Sequence, residues 1–298
     1  MSTVVSLTLN FLALAPPPRL AHPQFTHITT APRRVTPPTL LFGDLEGRVS
    51  RWWDRRRERA HWRRDRPERI ILIRHGESLG NTDRVYFSTE PDSQQELSNR
   101  GYSQAVVAGL KLRRLVGNET CRFFTSPYMR TRQTLLAVLK AFEGRTVQVT
   151  SEPRLREQDF GNFQDPASVA RAKEERARFG RFFYRFPNGE SGADVYDRVS
   201  TWLESLHREL EYGVAMSADS TVLLVTHGLT ARLFLMRWYR WSVDTFEATE
   251  NPGNAAILVM ERDALGRYAL TPDSLAVVGV GRKPQLGRVR STSDGLND

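Results

Sequence analysis

The sequence predicts an α/β fold, a three-layer αβα sandwich around a largely parallel central sheet. Three observations carry that expectation. Short apolar runs of strand length alternate with longer amphipathic stretches. Two of the runs, Ile70-Ile71-Leu72-Ile73 and Thr221-Val222-Leu223-Leu224-Val225, are apolar almost without interruption, as strands covered on both faces must be. Both runs lead directly into a histidine followed by glycine.

The 298 residues, 40% hydrophobic, suffice to bury a large core. Residues 1–43 contain no acid and are rich in proline and threonine, so they bury too little surface to offset the entropy of ordering. We read residues 1–46 as a disordered basic arm. Its lack of acids, with Arg19, Arg33 and Arg34, also suits an organellar transit peptide, so a plastid or mitochondrial address stands as the alternative to the cytoplasm.

Residues 47–68 interleave Trp52, Trp53 and Trp62 with arginines. The expectation is a helix with its tryptophans on the domain and its arginines in water, aided by Asp54 and Glu58. An anionic membrane surface or RNA is the partner such a pattern would otherwise suit. Nucleic acid is disfavoured by where the charge lies. Residues 1–69 hold 13 basic and 6 acidic side chains, whereas residues 70–280 hold 26 of each. The net charge of +9 therefore belongs to the ends of the chain.

A domain is expected over residues 69–272. Ser98 caps a helix running to about Val116, residues 123–125 form a strand, and 128–142 a second helix. After Ser191 an amphipathic helix places Val195, Val199, Trp202, Leu203, Leu206 and Leu210 on one face. The strand at 221–225 is followed by a helix over 229–240 and a strand over 256–260. Residues 273–298 read as a flexible tail. No apolar run reaches the roughly 18 residues of a membrane span. With Cys121 as the single cysteine, an intramolecular disulfide and a cysteine-rich metal site are excluded.

Candidate chemistry gathers at the strand ends, where ligands bind in open α/β sheets. His75 and His227 follow equivalent strands, and glycine after each lets a ligand approach closely. A phosphoryl group carries about two negative charges and needs cations and donors around its oxygens. Arg74 supplies one guanidinium, and Arg130, just after the next strand, a second. A neutral imidazole can attack phosphorus, and the leaving alkoxide then needs a proton, for which Glu157 is the candidate. The expected partner is a small phosphorylated substrate, with no cofactor and no metal.

Arg74-His75-Gly76-Glu77-Ser78 with Asn81 resembles the signature of the histidine phosphatase superfamily, the phosphoglycerate mutase-like enzymes. Further segments match in order: Leu97-Ser98-Asn99-Arg100-Gly101 with Gln104, Ser126-Pro127-Tyr128-Met129-Arg130 with Thr134, Leu155-Arg156-Glu157 with Gly161, Asn188-Gly189-Glu190-Ser191, Thr226-His227-Gly228 and Asn254. The resemblance implies a phosphoglycerate mutase-like fold with His75 as the phosphorylated nucleophile. His227, Arg74 and Arg130 would complete the phosphate pocket, and Glu157 would be the proton donor, then the base for water. Asn81 would be a further donor, with Ser78 and Gly228 also on the substrate.

Departures from the mutases favour hydrolysis. Gly80 stands where they carry tryptophan, residues 84–91 replace their small substrate loop, and their basic residues after the glutamate have no clear counterpart beyond Arg181 and Arg185. The wording is closer to plant and fungal mutase-like proteins and broad-range acid phosphatases. The expected function is thus phosphate monoester hydrolysis through phosphohistidine. A phosphoglycerate or phosphosugar mutase is the alternative. A reading of another class is an RNA- or membrane-binding protein with an inert phosphatase domain.

Overall fold

The computed structural model describes residues 66–83, 90–161, 166–211 and 219–280. The arm 1–46, residues 47–65 of the Trp/Arg segment and residues 281–298 lie outside them, with the expectations made there. Residues 66–68, expected to close a helix, instead lead into the first strand as non-helical chain. The Pro67 carbonyl accepts from the Tyr268 hydroxyl at 2.6 Å and from Arg262 Nε at 3.2 Å.

In chain order the elements are β1 (Arg69–Arg74), α1 (Leu79–Thr82), α2 (Asn99–Val116), β2 (Thr120–Thr125), α3 (Met129–Leu139), β3 (Val147–Ser151), α4 (Pro166–Phe179) and α5 (Gly192–Glu211). There follow β4 (Ser220–Thr226), α6 (Gly228–Tyr239), α7 (Val243–Glu247), β5 (Ile257–Arg262), β6 (Tyr268–Leu270) and α8 (Pro272–Val278). The sheet order is β3-β2-β4-β1-β5-β6. The first four strands of that order run parallel, and β5 and β6 are antiparallel additions.

The uninterrupted apolar runs are explained by the two cores they separate. Side chains alternate across a strand. Ile70 and Leu72 of β1 with Val222 and Leu224 of β4 pack on one face against Val199, Trp202 and Leu206 of α5 and Leu233 and Phe234 of α6. Ile71, Ile73, Leu223 and Val225 face the other way, against Leu112 and Val116 of α2 and Leu135 and Val138 of α3. Each such fully buried side chain contributes about 1.5–3 kcal/mol relative to exposure. Helices on both faces of a mostly parallel sheet are the expected three layers.

The expected helices appear within a few residues of their sequence bounds. Ser98 caps α2 by accepting from Gly101 N at 3.0 Å. Past Leu139 the second helix tightens into a 3-10 turn, Lys140–Phe142. The tail boundary at 273 needs correction, because α8 belongs to the domain. Thr271 caps it, a proline occupies its first turn, and Gly279 ends it at φ +71°. Val278 is fully buried, and Ser274 Oγ accepts from Val259 N of β5 at 2.8 Å.

Candidate active site

Register puts the two histidines together. β1 and β4 are adjacent and parallel with Arg74 opposite Thr226, so the residues that follow, His75 and His227, emerge side by side. His75 N donates to Thr226 O at 3.0 Å, and the imidazole centroids lie 5.2 Å apart. On the other flank of β4, Ser126 N donates to Val225 O, which brings the start of α3 and its Arg130 to the same end of the sheet. The N-termini of α3 and α6 thus begin at these strand ends, where a helix N-terminus favours an anion.

The turn carrying His75 is clamped by the start of α2. A Cβ on Gly76 would collide with the Gly101 carbonyl, and one on Gly101 with the Glu77 carbonyl, so both positions require glycine. Ser98 Oγ donates to Glu77 Oε1 at 2.8 Å, and Gln104 Oε1 accepts from Glu77 N at 2.9 Å. Thr134 Oγ1 accepts from Gly76 N at 3.0 Å. These contacts account for the spacing of the Leu-Ser-Asn-Arg-Gly segment and for Gln104 and Thr134.

His75 Nδ1 lies 2.7 Å from Gly76 O. A carbonyl only accepts, so Nδ1 carries the proton and the Nε2 lone pair is free. Burial, then the Arg130 and Arg74 charges, hold the imidazole well below the ordinary histidine pKa. It stays neutral. Burial and then Arg130 likewise depress His227. Its Nε2 lies 2.8 Å from Ser126 Oγ, while its buried Nδ1 has no partner among the described residues. The Tyr128 ring is 5.2 Å from the His227 ring.

Both guanidiniums are tied down at one end. Arg74 Nη1 donates to Pro252 O at 2.7 Å, and its buried Nε is unpartnered among the described residues. Arg130, buried on α3, donates from Nη1 and Nη2 to Asp92 and lies 5.0 Å over the Tyr128 ring. Glu157 is buried, with Oε1 accepting from Thr230 Oγ1 and from Gln158 N, both at 3.1 Å. Its loop is held by Arg198, which donates to the carbonyls of Arg154, Arg156 and Glu157 and to both oxygens of Glu190.

The remaining expected residues sit around this cluster. Asn81, exposed at the end of α1, accepts through Oδ1 from Ser78 N at 3.2 Å and from Asn254 Nδ2 at 3.2 Å. Asn254 also donates to His75 O at 3.4 Å. Ser78 is buried at the N-cap of α1, and Gly228 opens α6 beneath the Asn251 side chain. Gly80, the departure from the mutase tryptophan, lies where a Cβ would collide with the buried Gln95 amide. Arg185 is committed to Asp194 at 2.7 Å and to Gly189 O, and Arg181 is exposed.

Sequence reasoning passed over Ser126, Asp92, Thr230 and Arg198 as contributors to the site. Ser126 stood inside a quoted segment, and its partner only follows from the neighbouring strand ends. Nothing in the sequence pairs Asp92 with Arg130.

Two imidazoles held neutral, two guanidiniums and a carboxyl gather at the strand ends of a parallel sheet, the groups that a phosphoryl-binding class of site requires. Residues 70–271 match the histidine phosphatase superfamily (branch 1), and the chain belongs to that family. It is 46% identical over 228 residues to a phosphoglycerate mutase-like protein of Arabidopsis thaliana, covering 72% of each chain. It is 31% identical to a broad-range acid phosphatase of Saccharomyces cerevisiae, covering 69% of this chain and 89% of that one. Among solved structures, a mycobacterial hydrolase superposes with a TM-score of 0.54 at 25% identity, over 68% of this chain and 97% of the other.

Proposed function

We propose that this chain hydrolyses phosphate monoesters through a phosphohistidine formed on His75. The observation that carries the reading is the His75 Nδ1 to Gly76 O hydrogen bond, which leaves Nε2 as a free lone pair on a neutral ring beside Arg74 and Arg130.

In the first step the Nε2 lone pair attacks phosphorus and the Nε2–P bond forms. The P–O ester bond breaks, its electron pair goes to the leaving oxygen, and the Glu157 carboxyl protonates that oxygen. Arg74 and Arg130 offset the charge on the nonbridging oxygens, with His227 as a neutral donor. In the second step the Glu157 carboxylate takes a proton from water, the water oxygen attacks phosphorus, and the N–P bond breaks. Neutral His75 and inorganic phosphate result.

The acid phosphatase likeness supports hydrolysis, while the mutase-like relative keeps phosphoryl transfer back to product in view. Against transfer, a second phosphate on Arg185 would have to compete with the Asp194 carboxylate already paired with it. The test is phosphate release from a panel of phosphomonoesters, with 3-phosphoglycerate isomerisation assayed alongside and His75→Ala as control. Phosphate should be trapped on His75 in protein denatured in alkali, where a phosphoramidate survives. Substantial turnover by His75→Ala would sink the reading, and isomerisation without net release would favour the mutase.

A further inference from the structure

Arg130 is one of two guanidiniums available to a phosphate at His75, and it is already engaged by a carboxylate. Asp92 Oδ1 accepts from Arg130 Nη1 at 3.0 Å and Oδ2 from Nη2 at 3.1 Å, while the Asp92 backbone carbonyl accepts from Nη1 at 2.6 Å. Arg130 is 4% exposed and Asp92 24%, so the pair is only partly screened by water.

A guanidinium offers two bidentate edges, Nη1–Nη2 at its tip and Nε–Nη2 along its side. Asp92 takes the first. What remains for a phosphate is the Nε–Nη2 edge, fixed in direction because the tip is held and one face lies over Tyr128. Asp92 also brings a negative charge to a pocket whose fixed cations are Arg74 and Arg130, the two histidines being held neutral by their surroundings. A phosphate dianion beside His75 therefore meets one guanidinium largely offset by its own partner.

We propose that Asp92 is a positioning residue that presents the Nε–Nη2 edge of Arg130 to substrate and, through its charge, keeps the pocket's hold on phosphate weak enough for the product to leave. The proposal rests on the phosphohistidine reading only in seating phosphate between Arg130 and His75. It also bears on hydrolysis against mutase chemistry. A mutase must retain its phosphorylated species between half-reactions, and a carboxylate on the pocket's arginine opposes retention.

The test uses the full chain and inorganic phosphate as an inhibitor of p-nitrophenyl phosphate hydrolysis. Asp92→Asn keeps an oxygen for Arg130 and the backbone carbonyl but removes the charge. A charge a few ångströms away shifts the preference for an ionised partner by about one decade or more. The inhibition constant for phosphate and KM should both fall about tenfold. A brace without an electrostatic role would give the opposite sign, since a loosened Arg130 binds phosphate less well. Asp92→Gln, which likewise offers Arg130 a neutral amide oxygen without the charge, decides the matter if Asp92→Asn fails to fold. An inhibition constant unchanged or raised would overturn the proposal. His75→Ala measured in parallel keeps the two claims apart: residual turnover there condemns the phosphohistidine, not the Asp92 comparison.

Discussion

The hydroxyl of Ser126 and Nε2 of His227, 101 residues apart in sequence, meet at 2.8 Å at the ends of β2 and β4. Ser126 Oγ also accepts from Tyr128 N at 3.4 Å, so its own proton is free to go to Nε2. A Ser126 proton given to Nε2 would put the imidazole proton on Nδ1, the buried atom without a partner among the described residues. In that tautomer His227 would offer a phosphate an N–H rather than a lone pair.

Ser126→Ala removes this control of the tautomer while leaving His75 untouched. One hydrogen bond to a reacting group is worth about 1–2 kcal/mol, or roughly tenfold. Steady-state kinetics should show kcat/KM down about tenfold, with phosphate still trapped on His75. Unchanged kcat/KM would mean that Ser126 does not orient His227.

Glu157→Gln keeps the shape of the side chain and removes the transferable proton. General acid catalysis typically contributes about 10²–10⁴ in rate. The loss should approach that range on sugar phosphates, whose alkoxides leave poorly, and be much smaller on p-nitrophenyl phosphate. Equal losses on both substrates would place the acid elsewhere.

The depressed histidines make a prediction about pH. Below about 6.5 the unfolded chain takes up protons on histidines that remain neutral in the fold until a lower pH. The unfolded state then binds more protons, so these residues cost stability as pH falls from about 6.5. The thermal midpoint should drop more steeply with acid in the wild type than in His227→Gln, whose side chain cannot titrate. Parallel midpoint curves would show that His227 is not held neutral. For the same reason the acid limb of kcat/KM, which reports the free enzyme, should lie below the ordinary histidine range.

A chain ended at Thr271 removes α8. It exposes the surface that Val278 covers and leaves Val259 N without the Ser274 oxygen, an expected loss of about 3–5 kcal/mol. Glu250 N also loses its bond to Val278 O, next to the loop whose Pro252 carbonyl holds Arg74. Denaturant unfolding should show the lower stability, and KM should rise. A chain ended after Val280 should match the full chain in both measurements; if the shorter one does so too, α8 has no part in the domain.

Much of this protein could be read before folding. Short continuous apolar runs of strand length suit strands buried on both faces, and β1 and β4 are that. The helices with apolar residues at three- and four-residue spacing are α2, α3 and α5, while α6 is buried along most of its length. Histidines after such strands, with Arg74, Arg130 and Glu157 in matching segments, were enough to assemble the candidate site. Elements with little buried surface left no comparable signal. The edge strand β3 is mostly exposed, α4 has a polar sequence, and α8 betrays itself only by Thr271, Pro272 and Gly279.

What tertiary structure alone decided is how the site's atoms are held. The pairings Asp92 with Arg130, Ser126 with His227, and Arg198 with the Glu157 carbonyl span 38, 101 and 41 residues. They exist because the strand order places β4 between β2 and β1, and because a loop from beyond α1 reaches over α3. Local sequence records which residues seek burial and how the backbone turns. The partner that an arginine or a histidine finds there, and so which of its nitrogens is left for substrate, depends on neighbours brought together only when the sheet closes.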